Sequence, residues 1–208
     1  MNFHDEELKH CALKAKELED HYLMIALAAD STERSVDWLT DICAKYCAKK
    51  IRLEELEINK DETTVWGACF ALAEIDTYDI AIAYGLNYCW KRFVICKELF
   101  HAVLETPGHH NLDLEKHVEE VTLAFPVDDS EPSDAVKVEI LTEIAAMQFL
   151  FPYAARQKEL VMLGASSLHY LAIAEKYRVP QIMVERYLSK QHMDVLGKFF
   201  GKSATADF

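Results

Sequence analysis

Lys97, Glu98 and His101 are the residues of this chain whose types and spacing bear most directly on chemistry. They lie in residues 92–104, an apolar-rich segment without Gly or Pro that predicts a helix. Positions i and i+4 share one face of a helix, so residues 97 and 101 are expected side by side. A zinc-peptidase helix of the form His-Glu-x-x-His uses this geometry, because two imidazoles hold the metal and the glutamate activates its water. Here Glu98 and His101 have the corresponding spacing, but a lysine replaces the first histidine.

Lys97 changes what this helix can do. A lysine ammonium carries three donors and no lone pair at neutral pH, so it does not ligate zinc and repels a metal cation. Loss of even an indirect partner typically costs about 10- to 100-fold in metal affinity, and loss of a direct ligand is expected to cost more. The residues therefore predict that Glu98 is a vestigial general base and His101 a vestigial ligand.

The sequence around this helix resembles the ImmA/IrrE family of metallopeptidase-like proteins, whose helix usually reads Arg-Phe-Thr-x-Ala-His-Glu-Leu-Gly-His-x-x-Leu. Six residues match that pattern: Arg92, Phe93, Glu98, Leu99, His101 and Leu104. Lys97 and Phe100 depart from it. Because the family has glycine at position 100, the phenylalanine is expected to crowd or fill the cleft.

Two later segments extend the resemblance over most of the chain. Residues 139–152 resemble the family's second helix, which supplies an acidic third ligand, and residues 171–188 resemble the segment that follows. The resemblance places Glu139 at an acidic position of that helix, with Glu143 one turn further along the same face. It does not decide which of the two corresponds to the metal ligand.

We therefore expect the Lys97 ammonium to occupy the space of the lost metal and to pair with Glu139 or Glu143. One cation would replace another, so the buried acids would stay compensated. The alternative is that Lys97 extends to solvent and that the two acids are surface residues.

Three further arrangements could supply a metal site. His101 and a carboxylate could combine with one of three histidines that follow the helix: His109, His110 and His117. Cys43 and Cys47 lie one helical turn apart, although buried free thiols are the expectation for a reducing compartment. Glu98 and His101, together with Glu139 and Glu143, also match half of a di-iron carboxylate site, but a second Glu-x-x-His is missing.

The composition is typical of a globular protein and disfavours binding to nucleic acid. The chain has 208 residues, is 51% hydrophobic and carries a formal net charge of −13, which disfavours direct nucleic-acid binding. Residues 105–143 hold eleven acids and two bases, a net charge of −9 that could face a basic partner or form a solvated loop. Residues 156–202 hold eight bases and four acids. Within them, residues 168–190 resemble a helix-turn-helix pair, for which packing rather than DNA binding is the expectation. The polar, acidic start and the lack of a long apolar run predict a cytoplasmic protein without membrane spans.

Periodicity and turn residues predict a mostly helical α+β fold. The predicted helices cover residues 4–29, 35–49, 92–104, 135–151, 166–177 and 180–200, with a possible short helix at 113–124. Strands are predicted at 64–72 and 80–85 as an antiparallel pair, and residues 51–58 fit either a strand or a helix extension.

These patterns predict a small antiparallel sheet and a C-terminal helical pair, and the resemblance implies that the fold is zincin-like. Residues 1–30 would form an N-terminal helix, residues 31–165 a degenerate metallopeptidase-like domain, and residues 166–208 a helical pair packed on it. The resemblance implies a regulatory setting in a bacterium, phage or mobile element. The lysine at position 97 then predicts a protein that binds a partner without cleaving it and needs no cofactor, with a transcriptional regulator as a candidate partner. The alternative is an active zinc peptidase with rearranged ligands that cleaves a repressor.

Overall fold

Eight helices and three strands make up the part of the chain that the computed structural model describes, residues 5–26, 34–57, 66–72, 76–104, 134–163 and 169–201. The strands are β1 (Lys50–Leu56), β2 (Gly67–Leu72) and β3 (Thr77–Ala83). The helices are α1 (Asp5–Ala26), α2 (Val36–Cys47), α3 (Tyr88–Leu104), α4 (Asp134–Leu150), α5 (Tyr153–Leu163), α6 (His169–Tyr177), α7 (Gln181–Tyr187) and α8 (Lys190–Phe200). The predicted mostly helical α+β class is confirmed.

The sheet is mixed, so the prediction of an antiparallel sheet is wrong in one respect. Its strand order is β1-β3-β2, with β2 antiparallel to β3 and β1 parallel to β3. Parallel neighbours need a crossover connection of a dozen or more residues, and the chain between β1 and β3 is long enough to provide one. Residues 51–58, which fitted either a strand or a helix extension, contribute β1.

Helices α3 and α4 form the centre of the molecule. The α3 helix packs against α2 on one side, against β2 and β3 on another and against α4 on a third. Most residues of both helices are buried, and their apolar side chains join those of α1, α2, β3 and the C-terminal helices in one core cluster. Any polar side chain on the facing surfaces of α3 and α4 is therefore held among packed neighbours, where it needs a polar or charged partner.

Local capping explains where α2 begins and ends. The Ser35 hydroxyl accepts a hydrogen bond from the Trp38 amide at 3.2 Å, which satisfies one of the free donors of the first turn. At the other end, Ala48 adopts a left-handed conformation with φ of 52°, and its amide donates to the carbonyl oxygens of the last turn. The predicted helix at 35–49 is confirmed with slightly tighter bounds.

The C-terminal region contains three helices rather than the predicted pair. The predicted helix at 180–200 is divided into α7 and α8 at Leu188 and Ser189, because the Ser189 hydroxyl accepts from the His192 amide and caps a new helix. Helix α5 was not predicted. It follows Pro152 directly, and the fully buried Arg156 holds its start by donating from Nε to the Phe151 carbonyl oxygen at 2.6 Å.

Several sequence predictions fall outside the described residues. They include the possible helix at 113–124 and the three histidines proposed as substitute ligands, His109, His110 and His117. Within the described residues, no helix has the length and apolar character needed to cross a membrane.

Candidate functional site

Four polar side chains meet between α3 and α4, and we call them the Lys97 cluster: Lys97, Glu98 and His101 from α3, and Glu139 from α4. The helical spacing of α3 puts its three members on adjoining parts of one surface. Glu139 reaches them because α4 packs along α3 in the core. The predicted contact between Lys97 and an acid of the second helix is therefore present.

Glu139 is the centre of this cluster. One of its carboxylate oxygens, Oε2, forms an ion pair with the Lys97 ammonium, and the other, Oε1, lies 3.1 Å from His101 Nε2. Lys97 Nζ also donates to Glu98 Oε1 at 3.3 Å. The ammonium thus lies between two carboxylates, while the imidazole contacts the far side of one of them.

The cluster is largely withdrawn from solvent. The Glu98 side chain is only 3% exposed, and those of Lys97 and His101 are 18% and 16% exposed. An isolated charge in such a position is costly, whereas a paired and hydrogen-bonded charge is tolerated. The alternative that Lys97 extends freely to solvent is therefore wrong.

Burial and pairing act on the protonation of Lys97 in opposite directions. Burial disfavours the charged amine, but the carboxylates of Glu98 and Glu139 outweigh it and raise the pKa of Lys97 above its ordinary value. For Glu139, burial likewise opposes the charged form, but Lys97 and His101 prevail and hold its pKa below the ordinary value. Lys97 is therefore a cation and Glu139 an anion throughout the neutral range.

Thr142 completes the polar contacts of His101, and the sequence analysis did not predict this role. Its hydroxyl lies 3.3 Å from His101 Nε2 and donates to the carbonyl oxygens of Val138 and Glu139, each at 3.0 Å. Because Thr142 follows Glu139 by three positions, the two residues share one face of α4. The spacing of three residues from Glu139 could have predicted the contact with His101, but a single threonine in an apolar helix does not by itself indicate a functional site.

Gly67, the first residue of β2, lies against α3, and the sequence analysis did not predict this contact. A Cβ built at this position would lie 2.4 Å from Val94 Cγ1 and 3.0 Å from Glu98 Cγ, closer than side chains normally allow. Only a glycine lets the strand backbone pass so near to Glu98. A glycine inside a β-rich segment was the sequence signal for such a close approach.

Glu143 does not belong to the cluster, so the possibility that it pairs with Lys97 is wrong. Its carboxylate accepts from Arg186 Nη1 at 3.1 Å and from the Tyr187 hydroxyl at 3.1 Å, both in α7. One turn along α4 is a rise of about 5.4 Å, enough to change the neighbouring element from α3 to the C-terminal helices. Glu143 therefore fastens α7 to the core, and no metal role is supported for it.

The cluster as it stands does not fit a zinc ion. Zinc needs unprotonated nitrogen, oxygen or sulfur ligands about 2.0–2.3 Å away, but Lys97 offers none and already binds the two carboxylates. Among the described residues, no group of three or more His, Cys, Asp or Glu side chains is arranged to hold a metal ion. The side chains that could ligate are His101, Glu98 and Glu139, and each has an atom within 4 Å of a charged neighbour.

Three other residues singled out by the sequence lie in the core cluster or against it: Phe100, Cys43 and Cys47. Phe100 is fully buried in the core cluster. Cys43 is also buried, which raises the pKa of its thiol well above the ordinary value, and the Cys47 thiol donates to the Ala102 carbonyl oxygen at 3.6 Å. The packing interpretation of the two cysteines fits these surroundings better than ligation does.

Comparison with known proteins adds no support to the resemblance. No protein-family model matches the chain, and no curated protein matches it. The case for an ImmA/IrrE-like protein therefore depends on the residues of α3 and α4 and on the geometry that they adopt.

Proposed function

We propose that this chain is a catalytically inactive, ImmA/IrrE-like module that binds a protein partner in a regulatory setting of a bacterium, phage or mobile element. The observation that carries the proposal is the position of the Lys97 ammonium between Glu98 and Glu139. In a hydrolytic site of this type, the glutamate at position 98 would receive a proton from metal-bound water. Here it is ion-paired with a lysine, and among the described residues no group of His, Cys, Asp or Glu side chains is arranged to hold a metal that would polarise water beside it.

The loss of catalysis does not by itself indicate what the protein binds. The composition of the two edge strands of the sheet indicates where a partner could bind. The β1 edge is protected by charge, since four of its seven residues are charged: Lys50, Arg52, Glu54 and Glu55. Among the described strands the other edge is β2, which reads Gly-Ala-Cys-Phe-Ala-Leu and has no charged residue and no proline. Natural proteins usually protect exposed edges in the way that β1 is protected.

The β2 edge therefore supports binding of an extended peptide by strand addition. In that mode, main-chain hydrogen bonds supply affinity and side-chain pockets supply specificity. The close approach of Gly67 to Glu98 puts the start of this edge beside the Lys97 cluster. A peptide paired with β2 would thus pass a site that can contact it without cleaving it.

A matched pair of substitutions tests this proposal. Phe70 in β2 and Leu53 in β1 are both exposed apolar residues, at 38% and 37%, each on an edge strand. Native protein, Phe70→Lys and Leu53→Lys are used to capture proteins from an extract of the source cell, and each captured protein is measured by intact mass. We expect one partner that is recovered uncut, retained by Leu53→Lys and reduced at least roughly tenfold by Phe70→Lys, equivalent to about 1.4 kcal/mol.

Two outcomes contradict the proposal. Equal loss of the partner in both lysine variants would mean that β2 has no special role. The competing function is an active metallopeptidase with rearranged ligands, in which His101 ligates and Glu98 activates water. A partner recovered as fragments with the native protein, but intact with Glu98→Gln, would establish that alternative.

A further inference from the structure

We propose that β2 also pairs with the β2 strand of a second copy of this chain, antiparallel and about a two-fold axis at Phe70, so that a dimer covers the edge to which a partner would bind. The inference rests on the proposed function only for the competing partner. The dimer itself is measured with purified protein, so the two proposals can fail separately.

The backbone of β2 directs hydrogen-bonding groups away from β3. The Ala83 amide donates to the Trp66 carbonyl oxygen at 2.9 Å, and the register of the two strands continues to this pair. In an antiparallel ladder, only every second residue bonds to a given neighbour. The even-numbered residues of β2 therefore bond to β3, and the odd-numbered ones present their N–H and C=O groups to the other edge: Gly67, Cys69 and Ala71. Among the described strands, none pairs with that edge.

Side-chain alternation selects the register of the pairing. Gly67 lies against α3, so Phe70, three positions further on, projects from the opposite face of the sheet, where it is 38% exposed. A two-fold axis at position 70 brings the two copies of Phe70 together in a non-hydrogen-bonded pair, the kind in which side chains approach most closely. Aromatic pairs across strands are among those that stabilise a sheet.

The other pairs of this register also permit close contact. Cys69 lies opposite Ala71 of the second copy in a hydrogen-bonded pair, and Ala68 lies opposite Leu72 of the second copy. Symmetry makes each of these pairs occur twice. The strand has no proline to remove a donor and no charged residue to meet its own copy. An axis at Cys69 would place Phe70 opposite Ala68 and forgo the aromatic pair.

Symmetry and charge favour a second copy of this chain at β2 rather than at β1. A two-fold interface uses the same surface on both subunits, and a strand paired antiparallel with itself meets that requirement. The formal net charge of −13 repels two copies at long range, and β2 adds no charge to this repulsion, whereas four of the seven β1 residues are charged. Added salt should therefore strengthen the dimer, because it screens the repulsion.

Charge substitutions at position 70 test the two-fold pairing. Phe70→Lys and Phe70→Glu each place two like charges opposite each other, whereas a mixture of the two variants places opposite charges together. Sedimentation velocity over a concentration series measures the dimer dissociation constant in reducing buffer, with Leu53→Lys on the β1 edge as the matched control. We expect Leu53→Lys to dimerise as the native protein does, each position-70 variant to dissociate at least roughly tenfold more readily, and their mixture to regain the dimer.

Paired cysteines test the register and the competition with a partner. The Cα atoms of a non-hydrogen-bonded antiparallel pair lie about 4.5 Å apart, within the range of a disulfide. In a Cys69→Ala background, Ala68→Cys/Leu72→Cys should form a covalent dimer on oxidation, and neither single cysteine variant should. This double variant keeps Phe70. When used to capture proteins from an extract of the source cell, its oxidised dimer should recover the partner at least roughly tenfold less than the same protein after reduction.

Several outcomes overturn the proposal. Circular dichroism establishes that each variant is folded, and if the charge variants are not, the cysteine pair carries the test. The pairing is overturned if the native chain stays monomeric at its highest soluble concentration, or if folded Phe70→Lys dimerises as Leu53→Lys does. Cross-linking by a single cysteine variant overturns the axis at Phe70, and equal capture by the oxidised and reduced protein overturns the competition. A dimer with the expected properties and no captured partner would contradict the proposed function alone.

Discussion

Replacing Lys97 with methionine should destabilise the protein far more than the loss of a surface lysine does. Methionine keeps the length and apolar stem of the side chain but removes its charge, so packing is largely conserved. Glu98, with a side chain only 3% exposed, would then keep a carboxylate in the core without its ammonium partner, while Glu139, 27% exposed, could turn toward water. Removing one partner of a buried ion pair typically costs about 3–5 kcal/mol.

We take the lower end of that range, about 3 kcal/mol, because Glu139 retains access to solvent. For a chain of this length, such a loss lowers Tm by roughly 6–12 °C. Guanidinium denaturation followed by tryptophan fluorescence, in buffer that contains EDTA, measures the free energy of unfolding. The control is Lys176→Met, since that lysine is 48% exposed and its pair with Glu159 should contribute at most about 1 kcal/mol.

A double variant separates the loss of charge compensation from a loss of packing. Adding Glu98→Gln to Lys97→Met removes the buried carboxylate that has lost its ammonium partner, so it should restore about 1–2 kcal/mol of the loss. The reasoning is refuted if Lys97→Met is no less stable than Lys176→Met. It is equally refuted if the second substitution deepens the loss, because the cost would then come from packing and not from charge.

Two further predictions concern β2 and the C-terminal helices. Gly67→Ala should reduce the free energy of unfolding by about 1–3 kcal/mol, because its Cβ would lie 2.4 Å from Val94 Cγ1, and an unchanged denaturation midpoint would contradict the close approach of β2 to α3. Burial, with smaller contributions from Arg186 and Arg156, lowers the pKa of His192 to about 4, so this side chain stays neutral in the folded protein. Since the unfolded chain takes up a proton below about pH 6.5 and the folded chain does not, this residue should remove about 2 kcal/mol of stability between pH 8 and pH 5. His192→Asn should lose less stability over that interval than the native protein, and parallel pH profiles would show that His192 does not contribute.

Much of the fold follows from local patterns that the sequence displays. The Ser35 cap and the apolar spacing of Val36, Leu39 and Ile42 predicted α2, and Pro152 predicted the end of α4. Which strands pair, and in which direction, does not follow from such patterns, because apolar and polar residues can alternate in the same way in parallel and antiparallel pairs. The parallel pairing of β1 with β3 and the antiparallel pairing of β2 with β3 are decided only when the strands meet in the folded sheet.

The C-terminal region shows a different limit of local reasoning. A serine between two apolar segments can lie within a helix or cap a new one, and Ser189 caps one. Helix α5 follows Pro152 at once and has no strong apolar periodicity, so its position depends on contacts such as that of the Tyr153 hydroxyl, which donates to the Met193 carbonyl oxygen of α8 at 3.3 Å. Such contacts join separate parts of the chain and have no signature in a short window of sequence.

For the site, the sequence by itself determined that Lys97, Glu98 and His101 share a helix surface and that the first of them cannot ligate a metal. Both conclusions need only the helical repeat and the chemistry of an ammonium group. The tertiary structure alone decided that Glu139, and not Glu143, completes the cluster, since the two are one turn apart and differ only in which element α4 presents them to. It alone also placed Gly67 against Glu98. The physical reason is the same in both cases: helical spacing orders side chains along one element, whereas packing between elements selects which of them meet.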